Sequence, residues 1–257
     1  MRSLARNTSI LIIFGAFSFS TIASAQSGAP CRKNIRTGEC VEKKSKSDKS
    51  GNREAAASKY PNAIRVEPEQ TAGKIGKQWN ELVAASADGG NPIKITAAAG
   101  AVLANDKASA YERSAAARMA AYAAIDQQDY SKAVDLLQQA IQINGLNNND
   151  HYDSYLAIGQ LQLAEDKYQD AVKTFTKLIA ETNTTDSKIY ASRGNAYYRL
   201  EQYPEAITDL KKAVEFDAGA DIATQQLLMA SYIEGGRSTE AVAIAEAQVA
   251  KNPKDKK

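Results

Sequence analysis

From Gly73 onward, apolar positions return along the chain in a fixed pattern broken by short polar stretches. The clearest unit runs from Ile189 through Tyr190, Gly194, Ala196 and Tyr197 to Leu200. After the polar break Glu201-Gln202 it resumes with Tyr203, Ala206, Ile207, Leu210, Ala213 and Val214, the spacing of one face of a helix. One neighbouring unit has Tyr155, Ile158, Gly159, Tyr168, Ala171, Phe175 and Leu178, and the unit before it has Ala117, Ala120, Tyr130, Ala133, Leu137 and Ala140. The last has Leu228, Tyr232, the turn Gly235-Gly236, Ala241, Ala245 and Pro253. A degraded unit stands at the front, with Trp79, Leu82, the turn Asp88-Gly89-Gly90, Ile95, Ala99 and Val102. Equivalent positions Ile95, Ala133, Ala171, Ala206 and Ala241 are 38, 38, 35 and 35 residues apart. Each unit predicts two helices joined by a turn. The extra residues of the longer steps are expected in polar linkers such as Gly145-Leu146-Asn147-Asn148-Asn149-Asp150, where insertion is cheap.

These residues resemble the tetratricopeptide repeat, whose period is about 34 residues. That family places an aromatic residue, Leu-Gly and Tyr on a first helix, and Ala, Phe and Ala on a second. Tyr190, Gly194, Tyr197, Ala206, Leu210 and Ala213 fall at the matching positions, whereas Arg193 stands where Leu is usual and Leu210 replaces Phe. The resemblance covers about residues 76–253. It implies an all-α, right-handed superhelical array of antiparallel hairpins, with about four clear repeats plus one degenerate N-terminal unit. Small residues at Gly159 and Gly194, facing the alanines of the second helices, let helices approach closely. Tyr130, Tyr168 and Tyr203, each three residues before an alanine, are expected to plug the gaps between hairpins. A single hairpin cannot bury its apolar face, whereas a stack makes a continuous core.

The stretch before the repeats differs in kind. Arg2 and Arg6 precede an apolar run from Ile10 to about Phe19, and Ala23-Ser24-Ala25 offers small residues for cleavage before Gln26. The run is shorter than the roughly 20 residues of a spanning helix, so residues 1–25 read as a bacterial-style signal peptide rather than an anchor, and the destination as the periplasm. No integral membrane segment is expected after cleavage. Residues 26–69 read as a flexible basic tail: nine Lys or Arg against four acids lie between Gln26 and Tyr60, and Lys43–Asn52 has no apolar side chain. Cys31 and Cys40, an even count in an exported chain, are expected to form a local disulfide. With no nearby His they make a weak metal pair. The array is assigned to residues 70–253 and a charged tail to 254–257. Ala is abundant and Pro is few at 6, a bias that favours helix, and the net charge of +2 lacks the strong basic excess of a nucleic-acid binder.

No catalytic constellation, cofactor motif or metal site is apparent, and the expectation is a protein that is not an enzyme. His151 is the single histidine, read as a solvated residue entering a helix. There is no Gly-rich phosphate loop and no Gly-x-Ser-x-Gly elbow, and Glu165-Asp166 should be solvated at a helix boundary. What the resemblance does imply is a concave groove lined by first helices. Carrying over its groove positions names Arg118, Tyr122 and Asp126; Asp153, Leu156, Gln160 and Leu163; Lys188, Asn195, Tyr198 and Arg199; and Gln226. Aromatic, amide and guanidinium groups suit peptide recognition. The two-carboxylate clamp for chaperone tails is not matched, because Arg118 and Tyr122 stand where its first Lys and Asn would be, followed by Leu156 and Gln160.

The function expected is a periplasmic adaptor or scaffold that binds a protein or peptide partner, not nucleic acid. Two alternatives remain. Ala108–Ser114 and Lys59-Tyr60-Pro61-Asn62-Ala63 loosely resemble repeat proteins that serve TonB-type energy transduction in the envelope, and the basic tail could rest on an anionic surface. The last helix, about Thr239 to Lys251, carries apolar residues around most of its circumference, so self-association or a partner is expected there. N-terminal sequencing of the exported protein should find Gln26 first; an intact N-terminus, or a lipid on Cys31, would remove the signal-peptide reading.

Overall fold

Side-chain caps fix where five of the helices begin. In a computed structural model describing residues 58–87, 90–217 and 222–251, with side chains to 246, there are ten helices. They are α1 (Gly76–Ser86), α2 (Pro92–Leu103), α3 (Ala110–Asp126), α4 (Tyr130–Ile143), α5 (Asn148–Ala164), α6 (Tyr168–Thr182), α7 (Ser187–Arg199), α8 (Tyr203–Phe216), α9 (Ile222–Glu234) and α10 (Ser238–Lys251). The Asn91 side chain caps α2 ahead of Pro92, Ser109 and Glu112 form a reciprocal capping box on α3, and Asp129, Asn147 and Asp186 cap α4, α5 and α7. Asn144 and Asn183 close α4 and α6 in the left-handed conformation that asparagine tolerates.

Consecutive helices pair and stack, and first helices also touch across repeats, as in α1 with α3, α5 with α7 and α7 with α9. The result is a solenoid of helical hairpins. Four of its hairpin turns are built identically. Gln128, Asp166, Glu201 and Gly236 each adopt φ near +60 to +74°. The next residue's N–H bonds back to a carbonyl five residues earlier: Asp129 to Ala124, Lys167 to Gln162, Gln202 to Tyr197 and Arg237 to Tyr232. This is the Schellman closure of a helix end. Three of the four positions carry a side chain in a region that costs an L-residue about 1 kcal/mol, so the stacked hairpins impose the turn.

The longer repeat steps have a different origin from the one expected. Asn148, Asn149 and Asp150 are not linker but the first turn of α5, which has 17 residues where α7 has 13. The linkers on either side of the α5–α6 hairpin are alike in length, 144–147 and 183–186. α3 also has 17 residues. The front unit, too, is a hairpin, α1 with α2, and Leu82, Ile95, Ala99 and Val102 are all buried. Cys31, Cys40 and the segments 1–25 and 254–257 lie outside the described residues.

Inside each central hairpin a glycine faces a large side chain. A Cβ on Gly159 would lie 2.6 Å from the Phe175 ring, and one on Gly194 would lie 2.7 Å from Leu210 Cγ. The two departures from the family pattern in this hairpin are also accommodated. Leu210 fills the Phe position against Gly194, and Arg193 forms a two-pronged ion pair with the buried Asp209, Nε to Oδ2 at 2.6 Å and Nη2 to Oδ1 at 2.8 Å. Gly194→Leu should therefore force apart α7 and α8 and cost at least about 1–3 kcal/mol, read as a lowered thermal midpoint; an unchanged melting curve would contradict the register.

Candidate functional site

The segment 58–69, expected to belong to the flexible tail, lies instead against the array. Tyr60 is 5% exposed and packs with Tyr152, Leu163, Phe175 and Ile189 in the core around α5, α6 and α7. Its hydroxyl donates to Asp153 Oδ1 at 3.1 Å, while Lys59 Nζ reaches Asp153 Oδ2 at 2.6 Å. Burial, reinforced by the Asp153 carboxylate, pushes the Tyr60 phenol far above its usual range. A tail reading misses this because charge and prolines dominate the segment; the local signal was Tyr60 and Ala63 following a stretch without apolar side chains.

The extra first turn of α5 holds this segment by its backbone as well as its side chains. The Lys59 N–H donates to Asn149 Oδ1 at 2.9 Å, the Ile64 N–H to the Glu181 carbonyl at 2.9 Å, and the Asn148 side-chain amide to the Arg65 carbonyl at 3.2 Å. The Arg65 guanidinium donates to Asn144 and Asn148 side chains and to the Leu146 carbonyl, clamping the α4–α5 connection. Glu67 accepts from the Asn148 N–H at 2.7 Å, placing a carboxylate at the N-terminus of α5, where the helix dipole favours it.

His151 is the clearest correction. It is not solvated but 5% exposed, edge-on to Tyr152 at 5.1 Å and to Tyr155 at 5.5 Å, and its Nδ1 finds no partner among the described residues. Burial, with Arg65 and Lys177 nearby and only Glu181 opposing them, lowers its pKa from 6.5 to about 4.

The twelve groove candidates divide into those near this segment and those far from it. Arg118 on α3 pairs with Asp150 at 3.1 Å and lies over the Tyr122 ring, joining α3 to α5. Asp153 is already engaged by Lys59 and Tyr60, Leu156 packs half-buried against the same core, and Leu163 is buried within it. Arg199 stacks on Tyr168 at 4.4 Å and pairs with Asp166 at 3.3 Å, bracing two hairpin turns. Gln160, Asn195 and Tyr198 are half-buried, and Asp126, Lys188 and Gln226 are exposed. Side chains that matter here and were not named as groove residues are Asn148, Asn149, Asp150 and His151 on the added turn and Tyr152 directly after it. Ala241 on α10 is buried, and Val242 is 55% exposed. Among the described residues, no group of three or more His, Cys, Asp or Glu could hold a metal ion, and no helix is long and apolar enough to cross a membrane.

Models of the tetratricopeptide repeat match residues 124–195 and 187–218. Similar solved structures include a MamA fragment from Desulfovibrio magneticus RS-1, 18% identical over 70% of this chain and 98% of that one, with a TM-score of 0.57. Another is a Podosopora anserina putative kinesin light chain with nearly identical TPR-like repeats, at 19%, 69%, 96% and 0.52 respectively. A third is YrrB, described as a TPR protein with an unusual peptide-binding site, at 15%, 69%, 84% and 0.55. No curated protein sequence matches the chain. Residues 124–218 therefore carry tetratricopeptide repeats, and the chain is built as a solenoid of helical hairpins of the kind seen in these structures.

A histidine with a depressed folded pKa takes up its proton more readily in the unfolded chain. The stability that neutral His151 contributes is complete above about pH 6.5 and is lost as pH falls from there toward 4. Against a His151→Phe variant, the wild-type stability should therefore drop by about 1–2 kcal/mol between pH 7 and pH 4, measured by urea unfolding across that range; parallel profiles would place the ring in water.

Proposed function

We propose that the protein is a periplasmic adaptor or scaffold that binds an extended segment of a protein or peptide partner along the inner face of its first helices. The observation that carries this reading is that the array already holds one peptide segment, its own residues 58–67, which turns at Pro61-Asn62, by reading backbone groups with Asn148 and Asn149 and side chains with Asp153. Gln160 on α5, and Asn195 and Tyr198 on α7, offer the same amide and aromatic chemistry on the adjoining first helices. Amides are suited to this task because each supplies a donor and an acceptor to a backbone that must lose its water on binding. The likeness to YrrB, itself described by its peptide-binding site, supports the same reading. The periplasmic location rests on the signal-like first 25 residues.

A partner captured by the full chain from an envelope extract should lose at least tenfold in affinity for the Gln160→Ala/Asn195→Ala variant, about 1.4 kcal/mol or more. Circular dichroism and melting should match wild type. Undiminished capture by the folded variant would move the binding surface elsewhere.

A further inference from the structure

We propose that residues 58–67 are a displaceable internal ligand, and that the site beneath them takes a peptide that carries a basic residue immediately before a tyrosine and turns just after it, as the chain does between the Tyr60 carbonyl and the Ala63 N–H at 3.1 Å. This rests on the peptide-binding reading above and specifies its ligand. Lys59 and Tyr60 converge on one carboxylate, Asp153, which is 8% exposed. The Tyr60 ring stands 5.3 Å from Tyr152, and its hydroxyl lies within the electrostatic reach of Tyr122 on α3 and of Asp186, which caps α7. The pocket thus pairs an aromatic slot with an acidic end, drawn from the first helices of successive repeats. A basic–aromatic dipeptide satisfies both halves, and Arg65, five residues beyond Tyr60, reads the α4–α5 connection as a second anchor.

Three features make the segment releasable rather than a fixed part of the fold. It is tethered to the array separately from α1: the next fixed points are the Gly73 N–H on Glu112 at 2.9 Å, the Lys74 N–H on the Lys107 carbonyl at 3.2 Å, and buried Ile75. Residues 69–72 between the two anchors are exposed, so the first can open without disturbing the second. The segment also packs incompletely. Ile64 is 69% and Val66 89% exposed, and a cleft of about 270 Å³ remains between Lys59, Pro61 and Asn62 and the α6–α7 connection at Thr182–Asp186. Closed in this way, the segment lowers the apparent affinity of any competing peptide by the fraction of time it spends open.

The test uses a fluorescent peptide of residues 58–67 added to the full chain. Lys59→Ala/Tyr60→Ala in the protein should raise its affinity for the wild-type peptide at least tenfold, and adding Asp153→Asn should reverse the gain. A peptide with alanine in place of its tyrosine should not bind. No gain in a variant that keeps its circular dichroism and melting profile overturns the proposal. Should that variant not fold, hydrogen exchange on the wild-type protein decides: the Lys59 and Ile64 amides are expected to exchange at least a hundredfold faster than the buried amides of α5 and α6, and equal protection overturns the proposal. A partner lost on Gln160→Ala/Asn195→Ala, but indifferent to the Lys59 and Tyr60 substitutions, would overturn this inference and leave the groove reading standing.

Discussion

Everything in this array depends on the closeness with which two helices of one hairpin can approach, and that distance is set by a hydrogen atom in place of a methyl. At Gly159 and Gly194 the facing side chain occupies the space where a Cβ would be. In these two hairpins Phe175 and Leu210 enter the core, and the core clusters run from one repeat into the next: Tyr197 packs both against the cluster that contains Phe175 and against that containing Leu210. Cohesion in such a stack is a sum of nearest-neighbour terms. A fault in one hairpin therefore loosens both of its interfaces. The repeated left-handed turn belongs to the same constraint. Gln128, Asp166 and Glu201 accept an unfavourable backbone because the helices they join have no freedom to end elsewhere.

The seventh helix shows how this constraint tolerates a polar intruder. Arg193 replaces an expected apolar residue at a largely buried position, its side chain 13% exposed. A lone guanidinium there would cost several kcal/mol. Asp209 on α8 accepts from two of the guanidinium nitrogens, with Thr176 on α6 receiving a third donor at 3.1 Å. The pair ties three helices at one level. Its value is geometric as much as energetic: a buried pair contributes little net stability over an apolar one, but a mispaired stack would strand a charge.

The repeats were legible because their information is periodic and local: an alanine every 35 or 38 residues, a tyrosine three before it, a glycine in the preceding helix. The same periodicity concealed what departs from it. The three surplus residues of the longer steps read as linker because Asn148, Asn149 and Asp150 are turn-formers. Asn147 instead caps a helix that runs through them, its side chain accepting from the Asp150 N–H at 2.7 Å. His151 looked solvated because its sequence neighbours are polar; its spatial neighbours are Tyr152, Tyr155 and the distant Arg65. The groove positions carried over from the family fall on α3, α5, α7 and α9. Nothing in a repeat frame reveals that Leu163 turns into the core, that Arg199 braces a turn, or that Asp153 meets a segment more than 90 residues away in sequence.

The added turn and the docked segment account for each other. α5 begins four residues earlier than α7 does, and the added turn carries Asn148, Asn149, Asp150 and His151, with Tyr152 directly after it. Without the segment, the Asn148 N–H, one of the donors at the start of a helix, would lose its partner. Residues 58–67 supply what is missing: Tyr60 against Tyr152, Glu67 on the Asn148 N–H, and the backbone of Lys59 on Asn149. α3 carries its extra turn in the same way, with Glu112 accepting from both Ser109 and Gly73. The chain leading into the array is thus held at two places, each an elongated first helix, and it is the lengthening of those helices that creates a site where a peptide segment can sit.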